Sequence, residues 1–437
     1  MSLLRNFLAN VGGSFQVFRR FPVIAPVALL MLIDEMNYSG INNVTIPAYL
    51  TNLHLPDHIR IWLIGTITST FLLSEAIFRI PSGWLSDRFG RARMITAAVF
   101  LTTPSFLLSA LAPSYQWFFA LRAWDGLMAA TLFTSIYAII GDAVPERSRA
   151  NAMGVINAMY MIGLVAGYAI AGSIDKVTGQ PRDFLYVSAV VALLAGITSF
   201  AFFHRRPDLN APHPDVHLED AERSVVSVTR HLTLLLVTFT QNLALTIIAP
   251  FIYVFAVKTS IAQGGLGLTL PRLGMLAGAP LLGVAIFAIP LSRLADKIGK
   301  LTAVRIAFIL VACTLWIFSA TRQLWLLSLA ASAVGIAYSM GVPAWLAILS
   351  ALSGRKRRGA TLGGYGAVQG FAAVLGPLIA TFVINHPPIV FHHFVITFGL
   401  SKIFIASSLL VGFAALLVCV ALPEHPGPGR MACKEKV

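Results

Sequence analysis

The sequence predicts an all-α membrane protein whose twelve transmembrane helices form two six-helix bundles. Three observations support this prediction. The 437 residues are 57% hydrophobic and only 11% charged, whereas soluble domains carry about 25% charged residues. Apolar stretches of about 20 residues, long enough to cross a bilayer as a helix, recur along the whole chain. Short polar segments that carry most of the Lys and Arg separate these stretches.

A central linker divides the twelve spans into two halves. We predict a segment at 1–22, a first bundle at 23–203, a linker at 204–230, a second bundle at 231–421 and a tail at 422–437. The linker is the longest polar segment, and its prolines disfavour a continuous helix. The expected spans are roughly 23–50, 59–83, 94–112, 115–141, 150–174, 183–203, 231–257, 271–294, 302–320, 324–351, 360–385 and 391–421.

The basic residues predict the orientation in the membrane. With the N-terminus inside, 23 of the 32 Lys and Arg residues fall on the cytoplasmic side and six on the outer side. Cytoplasmic loops of membrane proteins carry such an excess. We therefore expect a multi-pass protein of the bacterial inner membrane, or of a membrane derived from it, with both termini cytoplasmic. In a soluble chain a net charge of +14 would suggest nucleic acid. Here the distribution of the charge excludes that partner.

One charged segment occurs twice. Residues Gly83 to Arg93 read Gly-Trp-Leu-Ser-Asp-Arg-Phe-Gly-Arg-Ala-Arg and lie between the second and third spans, where we expect a tight turn. A second version follows 209 residues later, so that Asp296 matches Asp87 and Gly299 matches Gly90. The chain therefore reads as two copies of one unit that run in the same direction.

This segment resembles the signature of the major facilitator superfamily of secondary transporters, G-x-x-x-D-R-x-G-R-[RK]. Ala92 departs from the last position, and Arg93 restores a cation. The resemblance extends over about 23–421 and implies a rocking, alternating-access carrier, expected to be a monomer without cofactor or metal site. The matching residues are Gly83, Asp87, Arg88, Gly90 and Arg91.

The resemblance also implies that this cluster is a latch that holds the cytoplasmic side closed. Asp142, at the cytoplasmic end of the fourth span, is then a candidate partner for Arg88 or Arg91. The alternative is that the arginines only set the topology of the loop.

Ionisable residues within the first and fourth spans are the candidate coupling site. Arg122 and Asp125 resemble the family pattern R-x-x-[QD]-G, which places an arginine near the substrate cavity, and an arginine at that depth is costly unless it is paired or hydrated. Asp34 is its expected partner. Asp34 and Asn37 share one helix face, and Glu35 points about 100° away. Two adjacent carboxylates cannot both be comfortably ionised in low dielectric. We therefore expect Asp34, together with Glu35, to carry a proton or to bind a cationic substrate, with Arg122 modulating the charge. The alternative is that Asp34 only neutralises Arg122.

The expected spans also contain an ion pair, a glycine motif, two cysteines and several further polar residues. Glu75 and Arg79 are four residues apart, which favours a structural ion pair near the cytoplasmic side over a binding site. Gly163 to Gly172 resembles an antiporter motif but has Tyr168 in place of proline, so that close packing of small residues is the alternative. We expect Cys313 and Cys419 to pack in the core. Polar residues that match the family's cavity-lining positions are Tyr137, Gln241, Asn242, Tyr338 and Trp345.

The predicted function is proton-coupled transport of a small organic solute, of the efflux type. One alternative is an inorganic cation carrier, for example for iron, that uses Asp34, Glu35 and the face around Asn37. A second is a transport-inactive sensor or scaffold. The chain has no G-x-x-x-x-G-K-[ST] loop, which argues against ATP-driven transport by this chain. It has no nucleophile constellation that would indicate an enzyme. The expected partners are the substrate, protons and the lipid bilayer.

Overall fold

The structure is a computed structural model. It describes residues 20–53, 55–206, 228–259, 265–269, 298–352, 358–385 and 400–421. It also describes single residues or short runs within 272–295 and 389–396. Most of the eighth expected span, 271–294, and Asp296 of the repeated charged segment lie outside this part of the chain.

Six helices form the N-terminal half. Helix α1 contains a π-helical turn at Ile41–Thr45. Helices α2 and α5 extend beyond the predicted spans at both ends. The helices are α1 Ile24–Asn52, α2 Asp57–Phe89, α3 Arg91–Leu111, α4 Trp117–Ala143, α5 Glu146–Thr178 and α6 Asp183–His204.

The described residues of the C-terminal half contain five long helices and one hairpin. The helices are α7 Val228–Ile248, α8 Lys300–Ala320, α9 Leu324–Leu352, α10 Arg358–Asn385 and α11 Lys402–Ala421. Short helical turns prolong α7 as far as Lys258. Strands β1 Ile389–Phe391 and β2 Phe394–Ile396 pair antiparallel before α11.

The prediction that the last span begins near residue 391 is therefore wrong. The residues before α11 are apolar and continue the hydropathy of the span. Their β-branched and aromatic side chains, however, favour a strand pair there. Hydropathy alone does not distinguish the two.

Eleven helices within the described residues are long and apolar enough to cross a bilayer. Their outward faces carry large apolar side chains, such as Ile80 at 79% and Leu416 at 58% exposure, as expected for a surface that contacts lipid. Cys313 and Cys419 also lie exposed on helix surfaces. The expectation that they pack in the core is wrong, because span hydropathy does not indicate which face of a helix is buried.

The charged segment between α2 and α3 is more helical than predicted. Helix α2 continues to Phe89, and Gly90 alone separates it from α3, with φ 97° and ψ 133°. Gly83 lies within α2, so Gly90 provides the tight turn that the sequence predicts in this segment. Gly299, the N-cap of α8, has the same φ 97° and ψ 133°. The two glycines therefore occupy equivalent turns of the repeat, in a conformation that residues with a Cβ rarely adopt.

Helix packing follows the same repeat. In the N-terminal half α1 packs on α5, and α3 packs on α4 and α6. In the C-terminal half α7 packs on α10, and α8 packs on α9 and α11, which are the same pairs one repeat later. A parallel repeat of this kind relates the two halves by an axis along the membrane normal.

Glycines allow α1 and α5 to approach closely. A Cβ built on Gly163 would lie 2.4 Å from the Leu32 carbonyl oxygen, and one on Gly167 would lie 2.4 Å from the Met36 carbonyl oxygen. The motif that resembles an antiporter signature is thus a packing surface in this structure, as its alternative interpretation proposed. Tyr168, which replaces the motif's proline, donates a hydrogen bond of 3.1 Å to the Ala249 carbonyl of the other half.

The two halves are joined at one side of the membrane. We call the side with the α2–α3 turn the linker side, and the other the opposite side. On the opposite side Asp175 of α5 contacts the Lys258 ammonium at 2.8 Å and accepts a hydrogen bond of 2.7 Å from the Tyr253 hydroxyl. Further along α2 from this end, the Ser69 hydroxyl donates to the Val374 carbonyl of α10 at 2.8 Å.

The linker side is more open. Among the described residues, no atom lies within 4 Å of a Cβ built on Gly83 of α2 or Gly366 of α10. At Gly65, nearer the opposite end of α2, such a Cβ would lie 2.7 Å from the Pro377 carbonyl oxygen of α10. The halves therefore touch at the opposite side and separate at these positions on the linker side.

We predict that Gly167→Ala destabilises the protein by about 1–3 kcal/mol, because the added methyl group meets the backbone of α1, which cannot move aside cheaply. Thermal unfolding of the detergent-purified protein checks this. Gly412→Ala in α11 is the matched control, since no described atom lies within 4 Å of its Cβ position. Equal unfolding temperatures for the two variants would contradict the close α1–α5 contact.

We predict that Asp175→Asn opens the opposite side. The charged contact with Lys258 joins the halves, and its loss shifts the closing equilibrium by roughly tenfold, the effect of about 1.4 kcal/mol. The measurement is the labelling rate of Ser69→Cys by a membrane-impermeant maleimide, in a background without the three native cysteines. Asp57→Asn is the control, because the ion pair that Asp57 makes among the described residues is with Arg60 of its own helix, and its side chain is 81% exposed. Unchanged labelling in Asp175→Asn would refute this role.

Candidate substrate cavity

A cavity of about 300 Å³ lies between the halves. Its wall comes from α1, α2, α4 and α5 on one side and from α7 and α10 on the other. The wall is amphipathic, with rings and aliphatic side chains beside charged and amide groups. Its charged residues are Glu35, Glu75 and Arg79, its amides are Asn42, Asn43, Asn242 and Gln369, and its larger apolar residues include Phe71, Leu72, Phe133 and Leu164.

The helical phase of α1 decides which of its residues reach the cavity. Glu35, Tyr38 and Asn42 lie on one face of the helix and line the wall. The π-helical turn Ile41–Thr45 is wider than an α-turn and places the consecutive residues Asn42 and Asn43 in the wall. Such turns are common at functional sites.

Glu75 and Arg79 form an ion pair within the cavity wall. The Arg79 guanidinium lies 2.6 Å from Glu75 Oε1, as their four-residue spacing predicts. The Glu75 side chain is 12% exposed and that of Arg79 is 39% exposed. The pair therefore faces the space between the halves, where a substrate can contact it. The sequence favoured a structural pair over a binding site, and the position in the wall agrees with the second of these alternatives.

Glu35 has a specific set of neighbours. Its carboxylate is hydrogen-bonded to Tyr160 of α5, and it lies close enough to Asp34 and Glu75 to be repelled by both. The Tyr160 hydroxyl, in contrast, stabilises a charged Glu35 by donating to it. Glu35 is thus a cavity carboxylate with a hydrogen-bond donor and other acidic residues close to it.

Arg122 and Asp125 form a separate cluster behind the cavity. They are paired to each other, and both are fully buried. The Arg122 guanidinium also lies 5.9 Å from the centre of the Phe106 ring. The Tyr38 hydroxyl donates to the Asp125 backbone carbonyl at 3.1 Å and so connects this cluster to the cavity wall.

The structure thus changes the placement that the sequence suggested. Asp34, Asn37, Arg122 and Asp125 are buried and lie outside the cavity wall, whereas Glu35 is part of it. The expected pairing of Asp34 with Arg122 is wrong, because Asp125 lies one turn from Arg122 on the same helix and neutralises it. Sequence spacing identified the polar faces of α1 but not which of them meets the second half.

The linker-side signature forms a compact ionic cluster. Arg91 contacts Asp87 at 3.1 Å and Asp142 of α4 at 2.7 Å, so that it joins the ends of α2, α3 and α4. Arg88 instead lies 5.5 Å from the centre of the Trp84 ring. Of the two candidate partners for Asp142, the structure selects Arg91.

Two groups of cavity residues were missed or only weakly indicated. Glu75 and Arg79 are ionisable residues within a span, which is by itself a signal for a functional position. Tyr160 carried no sequence signal that separates it from a packing residue. Among the five polar residues suggested by the resemblance, Asn242 is in the wall. Trp345 is instead buried near Phe308.

Helical halves related by a repeat, with an amphipathic cavity between them, define a membrane transport protein. The family model described as Major Facilitator Superfamily matches residues 27–259 and 234–431. Together these matches cover most of the chain. The protein therefore belongs to the major facilitator superfamily and is a multi-pass secondary transporter of the membrane.

Relatives and solved structures agree with this family. The proton-coupled antiporter flippase LtaA of Staphylococcus aureus strain USA300 is 24% identical over 357 residues, which cover 80% of this chain and 86% of the relative. The LtaA of strain MSSA476 is 23% identical with the same coverage. A bacterial homologue of the human lysosomal transporter Spinster, solved in an inward-facing and occupied conformation, has a TM-score of 0.66 at 16% identity. It covers 93% of this chain and 97% of its own and shows the fold.

We predict that Arg91→Gln weakens the contact between the linker-side ends of α2, α3 and α4 more than Arg88→Gln does. Arg91 carries both ionic contacts and its side chain is only 17% exposed, so that the loss is about 1 kcal/mol despite solvent screening. Hydrogen exchange of the α3 first turn, followed by mass spectrometry, measures the effect as roughly fivefold faster exchange. Arg88→Gln removes a positive charge but neither of these ion pairs. Equal hydrogen exchange in the two variants would argue that the ion pairs of Arg91 do not stabilise this contact between the helix ends.

Proposed function

We propose that the protein exports an amphipathic organic solute in exchange for protons, by alternating access of the central cavity. The observation that carries the proposal is the cavity itself, where Glu35 and the Glu75–Arg79 pair face a wall that also contains Phe71 and Leu72. Ligand sites of this kind combine a mostly apolar surface with a few placed polar groups.

Competition for Glu35 provides the coupling. A proton and a cationic or hydrogen-bond-donating substrate group cannot both occupy the same carboxylate. When substrate leaves, Glu35 is available to a proton, and when the proton leaves, the carboxylate is available to substrate again. This exclusion makes proton and solute move in opposite directions. The relatives named as proton-coupled antiporter flippases support antiport and an amphipathic substrate.

The two sides of the membrane have different roles in this cycle. The excess of Lys and Arg supports a cytoplasmic linker side, so the conformation described here opens toward the cytoplasm and is joined at the outer side by Asp175 and Lys258. Outward opening then requires that this contact break. The Arg91–Asp142 cluster is proposed to stabilise the N-terminal half during that movement.

Asp34 is proposed to be structural. It is buried, and among the described residues its Oδ2 atom has no hydrogen-bond partner. An unpaired buried carboxylate is far less costly when it is protonated. Asp34 in this form helps to pack α1 beside Arg122 and Asp125 and does not take part in exchange.

An inorganic cation carrier remains the second candidate. The two cavity carboxylates favour it. The described residues, however, contain no group of three or more His, Cys, Asp and Glu that could hold a metal ion, and the apolar wall suits an organic solute better. Saturable uptake of ferrous iron, lost in Glu35→Gln and without any dye transport, would favour this candidate. Absence of flux for both classes would favour a scaffold.

We predict that Glu35→Gln abolishes proton coupling and Asp34→Asn retains it. The assay uses proteoliposomes with a panel of lipophilic cationic dyes, and compares flux with and without a pH gradient. In Glu35→Gln the rate with a gradient is expected to fall to the rate without one, because glutamine cannot exchange a proton. Both substitutions remove one carboxylate from α1 with little change in shape. Wild-type flux that is indifferent to the gradient, or coupling lost only in Asp34→Asn, would overturn the assignment.

A further inference from the structure

A second cavity, of about 620 Å³, lies away from the substrate cavity between α3 and α6. The lining residues are Ala92, Arg93, Thr96, Ala97 and Phe100 of α3 and Phe200, Phe203 and His204 of α6. We call it the lateral groove. It is located at the linker end of both helices, on the surface that the bilayer covers, and none of its residues lines the substrate cavity.

Helix packing makes the lateral groove a fixed feature. The Thr96 hydroxyl bonds the Ala92 carbonyl at 2.9 Å and lies 3.3 Å from the Ser199 hydroxyl of α6, which connects the two helices at the floor. Deeper in the membrane, Gly196 allows the Phe100 ring to approach α6, with ring atoms 3.0 Å from the Cβ position of the glycine. The floor hydroxyls thus have protein partners, and the groove needs no polar ligand there.

Arginine side chains lie at the mouth of the lateral groove, with Arg93 in its lining and Arg205 next in the chain to the lining residue His204. Arg93 lies in the first turn of α3, and His204 is the last residue of α6, followed directly by Arg205. All three are exposed. Arg93 also lies where the amino end of a helix favours an anion. None of the lining residues is acidic. The mouth is therefore complementary to a negative charge.

The deep end of the lateral groove is apolar. Phe100 lies seven residues beyond Arg93, about 10 Å further into the membrane at the helical rise of about 1.5 Å per residue. Phe200 is 55% exposed and stacks on His204 with ring centres 5.4 Å apart. A free anion would use only the mouth, whereas a molecule with a charged head and an apolar chain matches the whole groove.

We propose that the lateral groove binds one anionic glycerophospholipid of the linker-side leaflet. Its phosphate lies against Arg93 and Arg205, and one acyl chain runs along Phe100 and Phe200. Basic pockets between transmembrane helices recognise anionic headgroups in this way. The site is independent of the proposed transport function, since it uses other helices and another face of the protein.

Native mass spectrometry of the detergent-purified protein tests the proposal. Phosphatidylglycerol and phosphatidylcholine with identical chains are titrated, and the affinity for the first bound lipid is compared. Wild type is expected to prefer phosphatidylglycerol. Arg93→Gln with Arg205→Gln is expected to lose roughly 25-fold in affinity for it, from about fivefold per cation. Ala97→Trp, at an exposed position in the groove, is expected to block the first site for both lipids by filling it.

Lys176→Gln is the matched control, since it removes an exposed cation from the opposite side of the membrane. It is expected to leave the preference unchanged. A wild-type protein that binds both lipids equally would overturn the proposal, as would a double variant that keeps the preference. A loss in Lys176→Gln as large as in the double variant would also refute it, because net charge and not the groove would then explain the selectivity.

Discussion

The cost of an ionised group in hydrocarbon is the constraint on which this structure depends. Each ionisable side chain in the spans must be paired, face water or carry its proton. Arg122 is paired with Asp125 inside the N-terminal half, while Glu35, Glu75 and Arg79 are placed in the cavity between the halves. The lipid-facing surfaces are left to apolar side chains. The cavity is therefore the place where charged side chains of the spans can contact a solute.

Close packing of α1 on α5 positions the cavity carboxylate. Gly163 and Gly167 bring the two backbones together, and Tyr160 of α5 consequently reaches Glu35 of α1. The π-helical turn in α1 then adds a pair of amides to the same wall. An antiporter-like glycine motif thus acts first through packing, and any effect on coupling follows from where that packing holds Glu35.

Contacts between the halves are distributed unevenly along the membrane normal. A buried carboxylate, an ammonium and a phenol join them at the opposite side, and hydrogen bonds between α2 and α10 continue that contact inward. On the linker side the ion pairs of Arg91 with Asp87 and Asp142 join helices of the N-terminal half. Rocking of two rigid halves requires such separable interfaces, since each half keeps its own core while one set of contacts is exchanged for another.

The sequence by itself determined the membrane class, most of the spans, the repeat and the family signature, because hydropathy, Lys and Arg distribution and turn glycines are local properties of the chain. Gly90 and Gly299 illustrate this, since one backbone conformation recurs at both. The tertiary structure decided which polar face of α1 meets the second half. It placed Glu35 in the cavity and Asp34 behind it, and that choice depends on helix rotation set by packing against α5, which no local pattern records.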